Sequence, residues 1–327
     1  MDPLSEVLSL LKPRSYVSAG FDAGGDWSIQ FSDMQQFIKC YSVLSGESWL
    51  LVDGVDEPVQ LQAGDCFVLP SGRSFRLASD LNLPSVRAAT VFAEARYGGV
   101  VTHNGGGKFH IVGSRFMVSG HHASILLEML PPIVHLKKKT DQLALRWAIE
   151  QMMQELREQQ VGSFLIAQHL AHMMLLQTLR LHLAENPHNA GWLFALADKQ
   201  MSAAISAMHA APAQSWSLQT LAAHVGMSRS SFAEKFKNIV GTSPIDYLLR
   251  WRMFLAADRL ANSSDAISII ALSLGYESES TFSTAFKRVM NCSPRQYGQS
   301  AKNLLNVKNM FIQNNKIKPK SKYKIML

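Results

Sequence analysis

Three cysteines and eleven histidines are the side chains of this 327-residue chain best suited to thiol or metal chemistry, and their spacing does not concentrate them. Cys40, Cys66 and Cys292 are too few and too scattered for a disulfide framework or a zinc finger, which need closely paired residues. His121 and His122 are adjacent, so on a strand their rings point to opposite faces and do not chelate together. His103, His110 and His135 read, like them, as polar loop histidines. A different chemistry, recognition of a long polar surface by exposed helix faces, is offered between Ser217 and Tyr297, where the chain repeats itself.

The first copy is SLQTLAAHVGMSRSSFAEKFKNIVGTSPIDYL, from Ser217 to Leu248; the second is ISIIALSLGYESESTFSTAFKRVMNCSPRQY, from Ile267 to Tyr297. With Ala222 set on Ala271, Gly226 falls on Gly275, and Phe232 and Phe236 fall on Phe282 and Phe286 after one extra residue in the second copy. Gly241 then meets Asn291, Pro244 meets Pro294 and Tyr247 meets Tyr297.

Each repeated residue has a local reason. Leu218, Leu221, Ala222 and Val225 recur at helical spacing and make one buried stripe, with Ala222 small enough for a second helix to cross closely. Gly226 supplies a positive φ to end that helix, and Ser228 caps the next, which buries Phe232 and Phe236 at i, i+4. Gly241 and Asn291 are the two residue types that tolerate the left-handed region cheaply. Ser243-Pro244 and Ser293-Pro294 cap and start a further helix. One such hairpin fits a plain helical bundle equally well. Two that match at these positions point to paired helix-turn-helix units, at about 218–238 and 267–289, whose second helices enter a major groove.

Residues 212–299 resemble the DNA-binding domain of the AraC/XylS family of bacterial transcription regulators, on Ile267, Ile270, Ala271, Leu274, Gly275, Tyr276, Ser278, Phe282, Phe286, Lys287, Pro294 and Tyr297. The resemblance implies a long helix joining the units, which PIDYLLRWRMFLAADRL fits, with Tyr247, Leu248, Trp251, Phe254, Leu255 and Leu260 available to contact both. Heads about 34 Å apart meet successive major grooves on one face of the duplex. By position, the base-facing residues are Arg229, Ser230, Ala233 and Glu234 in the first unit and Glu279, Ser280, Ser283 and Thr284 in the second. Arg229 alone offers the bidentate bond to guanine, while Glu234 and Glu279 either accept from cytosine N4 or form solvated intrahelical pairs. Lys235, Lys237, Lys287 and Arg288 are the phosphate contacts, which add affinity and salt dependence without sequence information.

The net charge of +7 is unevenly placed. Seven Lys and no acidic residue lie from Lys302 onward, a basic tail expected to be disordered, while residues 212–301 balance at +3 and residues 1–211 at −3. A mildly basic head on a mildly acidic body suits specific DNA binding better than a general polyanion binder. No apolar run reaches the roughly 18 residues that span a bilayer, and MDPLSEVLSLLKPR does not read as a secretory signal, so a bacterial cytoplasmic protein with no membrane partner is expected.

The N-terminal part reads as β, from the short apolar runs QFIKCYSVLSG, SWLLVDG, VQLQAGDCFVLPSG and SFRLASD between Gly, Asp and Pro turns. VDGVDEPVQLQAGDCFVLPSG resembles a cupin, the small barrel that serves as sensor in many AraC-type regulators. RFMVSGHHASILLEMLPPIVHL and GWLFALADKQMSAAISAMH are similar to segments of one cupin-containing subgroup. A cupin also raises a metal-dependent enzyme, but Tyr41 and Phe75 stand where that resemblance would place metal-binding histidines. The expected metal, cofactor and catalytic sets are therefore empty. Some relatives sense oxidants through thiols, and Cys40 and Cys66 fall in strands that could neighbour each other, which leaves redox sensing as an alternative.

From Thr140 to Glu185 the pattern is helical, broken at Gly162-Ser163, and so rich in Met and Leu that a helical hairpin is expected between the barrel and a second subunit. The expectation is an α+β multidomain chain: a cupin-like sensor at 1–138, a helical linker at 139–211, a double helix-turn-helix domain at 212–301 and a tail at 302–327. Its partners would be a double-stranded DNA operator, a second copy, an unidentified small-molecule effector and, for an activator, RNA polymerase.

Overall fold

Pro3, Leu4, Val7 and Leu11 are the buried residues of a short opening helix, α1 (Pro3–Leu11), so the segment is a folded amphipathic element. The computed structural model describes residues 2–11, 13–33, 37–93, 99–118, 127, 130–137, 143–185 and 191–301. His121, His122 and the basic tail lie outside the described residues. Two units are resolved by their internal packing: Met1–Ala207 with Leu218–Pro244, and Met208–Ser217 with Ile245–Leu327.

Among the described residues of the first unit, eleven strands follow in order: β1 (Arg14–Ala23), β2 (Ser28–Phe31), β3 (Phe37–Ser45), β4 (Glu47–Val52), β5 (Val59–Gln62), β6 (Cys66–Leu69), β7 (Phe75–Ala78), β8 (Val86–Arg87), β9 (Val100–His103), β10 (Phe109–Met117) and β11 (Val134–Leu136). A short helix, α2 (Ala88–Val91), follows β8. The strands form a six-stranded sheet, β11-β6-β3-β10-β1-β9, and a five-stranded sheet, β5-β4-β7-β2-β8. Along β4, Ser48, Leu50 and Val52 are buried and alternate with more open residues, as a strand covered on one face requires. Phe21, Phe67 and Ile111 from one sheet meet Ile29, Leu50 and Phe75 from the other in a common core.

The strand β6 is buried at all four positions, because the helix α4 (Ser163–Glu185) covers its outer side. That helix buries Ala171, Met174, Leu175 and Thr178 and packs beside α3 (Leu143–Glu158) across a turn in which Gly162 has φ +93°. A one-turn helix, α5 (Trp192–Ala195), and then α6 (Lys199–Ala210) follow.

Of the histidines expected in loops, His103, His110 and His135 are described, and they stand in strands instead. His110 in β10 lies 3.0 Å from Asp22, His135 in β11 lies 3.1 Å from Asp65, and the His103 ring in β9 is 6.1 Å from that of Phe21. Half-buried strand positions accept an imidazole when a carboxylate or an aromatic face satisfies it, a pairing between distant strands that sequence spacing does not display.

In the second unit, α9 (Pro244–Asn262) supplies the buried residues Leu248, Trp251, Phe254 and Leu260. His209 lies flat on Trp251, with ring centroids 3.6 Å apart, and its Nε2 is 2.9 Å from the Tyr247 hydroxyl. Burial pulls its pKa down to about 3. An unfolded-chain histidine titrates near 6.5, so from about pH 6.5 down towards 3 the unfolded state binds the extra proton and stability is lost as pH falls; above about 6.5 this group contributes no slope. Urea unfolding at pH 7 and pH 5 should show the midpoint falling at the lower pH, with up to ~1.4 kcal/mol per pH unit from this residue. His209→Gln should remove most of that difference; an unchanged difference would assign the loss to other groups.

Candidate nucleic-acid interface

In the first repeat, α7 (Leu218–His224) buries Leu221 and Ala222, and α8 (Arg229–Val240) buries Phe232, Phe236 and Val240. The turn between them closes as expected: the Met227 amide donates to the Ala222 carbonyl (2.9 Å) and the Gly226 amide to that of Ala223 (3.1 Å), with Gly226 at φ +67°. These are the paired bonds that satisfy the last carbonyls of a helix. Ser228 then caps α8 by accepting from the Ser231 amide at 3.2 Å, and Gly241 ends it in the left-handed region.

The second repeat is built alike. α10 (Ile267–Ser273) buries Ile270 and Ala271; α11 (Glu279–Met290) buries Phe282, Phe286 and Met290. Ser278 accepts from the Thr281 amide at 3.2 Å, and Asn291 takes the left-handed place of Gly241 at φ 57°. The inserted residue lies in the turn, where Tyr276 packs edge-on against Phe282 at 5.5 Å. Residues 294–301 are helical after a reciprocal cap, in which Gln296 Oε1 accepts from the Ser293 amide (3.0 Å) and Ser293 Oγ accepts from the Gln296 amide (3.3 Å).

Burial follows the same residue-by-residue pattern in 231–240 and 281–290, so both second helices leave equivalent faces open. Arg229, Ser230 and Glu234 are exposed and Ala233 is half-buried; Glu279, Ser280 and Thr284 are exposed and Ser283 is half-buried. Lys237, Lys287 and Arg288 are exposed beside them. Thr284 Oγ1 donates to its own helix at the Ser280 carbonyl, 3.1 Å away.

Lys235 corrects the expectation of a phosphate contact. It is half-buried and ion-paired with Asp198 at 2.8 Å, with a second bond to Gln200 Oε1 at 3.0 Å. Burial alone would raise the Asp198 carboxyl, but Lys235 and the Met201 and Gln200 amides hold it below the usual carboxylate range. Lys235 thus helps tie α8 to the preceding segment, as does the bond from the Gly191 amide to the Ile239 carbonyl (2.6 Å).

Family models describe residues 2–184 as a cupin and residues 221–300 as a helix-turn-helix domain. An AraC-like transcription regulator of Streptomyces antibioticus is 43% identical over 91% of this chain and 98% of its own length. The chain belongs to the AraC-like family of transcription regulators. The regulator AlkR of Acinetobacter baylyi is 27% identical over 92% of this chain and all of its own length. Among solved structures, an AraC-type regulator from Chromobacterium violaceum is 30% identical over 33% of this chain and 96% of its own, with a TM-score of 0.31. This AraC-like protein is thus a DNA-binding transcription regulator with an N-terminal cupin domain.

The regulator's cupin does not offer the imidazoles that a metal cupin needs at the two positions compared. Tyr41 and Phe75 hold them, with ring centroids 5.6 Å apart, and Phe67 stacks on Tyr41 at 5.1 Å. Phe75 offers a metal no donor atom, and burial pushes the Tyr41 hydroxyl well above its usual pKa, away from the phenolate that binds metals. Cys40 and Cys66 do stand on neighbouring strands, but both are buried and burial pushes both thiols up, Cys66 to about 12. A buried thiol held protonated is a poor nucleophile.

Sequence reasoning missed Arg252 on α9. Its guanidinium donates to the carbonyls of Pro212 (2.6 Å) and Gln214 (2.9 Å) and lies over the Tyr276 ring, pinning the segment before the first repeat against the second. A lone arginine on a helix carries no signal of that partnership. The same segment gives Gly275 a second constraint: a Cβ there would meet the Ala213 carbonyl oxygen at 2.3 Å, whereas at Gly226 nothing lies within 4 Å. Gly226→Ala should therefore cost about 1–2 kcal/mol, the left-handed penalty alone. Gly275→Ala should cost more and lower operator affinity. Thermal unfolding of the two variants checks this, and equal losses would mean the 213 segment yields freely.

Proposed function

We propose that this regulator binds an operator through both heads, with an effector in the cupin domain altering how they engage DNA. The observation that supports it is the matched pair of recognition helices, each with buried phenylalanines at i, i+4 and an exposed polar face. The division at 1–138, 139–211 and 212–301 serves as sensor, linker and DNA-binding domain in this reading, with the tail at 302–327 adding attraction for phosphate. Arg229, Ser230 and Glu234 read bases from one head and Glu279, Ser280 and Thr284 from the other. The half-buried Ala233 and Ser283 present short side chains to base edges, and Lys237, Lys287 and Arg288 hold phosphates. The protein acts without catalysis, in the bacterial cytoplasm, and contacts RNA polymerase if it activates. Among the described residues, no helix is long and apolar enough to cross a membrane.

With so few long hydrogen-bonding side chains on either face, each head binds modestly, and a homodimer supplies the remaining affinity. Leu143 and Trp147 on α3 and Leu165 and Leu176 on α4 are exposed apolar residues that suit such an interface. Their burial between two copies would raise the effective concentration of a second pair of heads at the operator.

Gel shifts on the intergenic DNA beside the gene should show at least about a thousandfold preference over scrambled DNA. Arg229→Ala should cost about 1–3 kcal/mol of binding and relax the preference at one base pair, while Lys287→Ala should weaken all sequences alike and reduce the salt slope by about 1. Loss of specific and non-specific binding in parallel for Arg229→Ala would reject its base-reading role. For the dimer, light scattering of Trp147→Glu should show a shift to monomer and weaker operator binding. A dimer unchanged by that charge would place the interface elsewhere.

A further inference from the structure

Burial runs in the same order from 231 to 240 and from 281 to 290, so Glu234 and Thr284 hold the same exposed place on α8 and α11. One carries a carboxylate, the other a hydroxyl and a methyl group. Both stand in mid-helix, where a side chain neither caps an end nor meets the charge of the helix dipole. Their chemistry is therefore open to what the face binds.

Among the described residues Glu234 makes no hydrogen bond or ion pair, although Lys237 stands one turn along the helix. A carboxylate brought to DNA without a partner is repelled by the phosphates, and is favoured only where a base edge donates to it. In the major groove cytosine N4 and adenine N6 donate. Adenine sets its N7 acceptor beside N6, against the second carboxylate oxygen, and cytosine does not. Thr284 is committed differently. Its Oγ1 donates to the Ser280 carbonyl at 3.1 Å, so the hydroxyl has no proton left for a base. Staggering about Cα–Cβ then sets its methyl on another side from that carbonyl, on an exposed residue. In the major groove the partner of such a methyl is the 5-methyl group of thymine.

We infer that this one position gives the two heads different bases: Glu234 takes the N4 amino group of a cytosine, and Thr284 takes the 5-methyl group of a thymine. The two pyrimidines differ in just these groups, so each head rejects the base the other prefers. Thymine would turn its O4 acceptor to the Glu234 carboxylate, and cytosine lacks the methyl on which Thr284 packs. The inference rests on the reading of α8 and α11 as base-reading helices, and names the base that one position on each reads.

Gel shifts of the full chain test it, on operators that the chain selects from random duplexes. Deoxyuridine in place of each thymine in turn removes only the 5-methyl group. At the thymine read by Thr284 this should weaken binding about fourfold, the worth of one buried methyl. Thr284→Ser should be indifferent to that replacement, while Thr284→Val, which keeps a methyl and loses the hydroxyl, should remain sensitive. At the cytosine read by Glu234, a change to thymine should weaken the wild type at least about fivefold. Glu234→Thr should reverse that order and prefer thymine. If no thymine loses its sensitivity in Thr284→Ser, or if Thr284→Val loses it as well, the thymine assignment is overturned. If no cytosine shows the reversal in Glu234→Thr, the cytosine assignment is overturned. A selection that enriches no sequence rejects base reading by the heads altogether. An enriched operator indifferent to every deoxyuridine rejects the Thr284 assignment and leaves the operator reading standing.

Discussion

A twelve-residue helix that must read DNA has to be held by one face and offered by the other, and that division governs both heads. In α8 and α11 the holding face is a phenylalanine pair one turn apart, completed by Val240 or Met290. The serine at each N-cap and the left-handed residue at each C-cap set where the helix begins and ends, and so which residues fall on the open face.

The heads differ in what braces them. Around α8, Lys235 joins Asp198 and the Gly191 amide joins the Ile239 carbonyl, so the support is an ion pair and a backbone bond to the residues before the head. Around α11, Arg252 and the close pass of Ala213 over Gly275 perform that service. Similar repeats can therefore be held by unlike neighbours, provided the phenylalanines and caps are kept. A charged residue next to a recognition face is as readily a brace as a DNA contact, and only its partner separates the two.

The barrel shows the same economy with aromatic residues. Tyr41 and Phe75 stand where the cupin resemblance would place imidazoles, and Phe67 stacks on Tyr41, so aromatic packing takes that part of the barrel. The two neighbouring cysteines lie under α4, where burial keeps the thiols protonated.

Much of this was legible without coordinates, and the divide falls along the range of the interactions. Helix period, caps and turns act over a few residues, so the sequence by itself determined the repeated hairpins, the roles of Gly226, Ser228 and Asn291, the strand runs of the barrel and the break at Gly162. Interactions between residues distant along the chain carry no such signature. Only the tertiary structure decided that Lys235 faces Asp198, that Arg252 clamps the 212–214 carbonyls, that His110 and His135 sit in strands beside carboxylates, and that Lys39 stands opposite Arg115. Each depends on a register or crossing that brings distant residues together, and spacing along a chain does not encode which strand or helix arrives at that point.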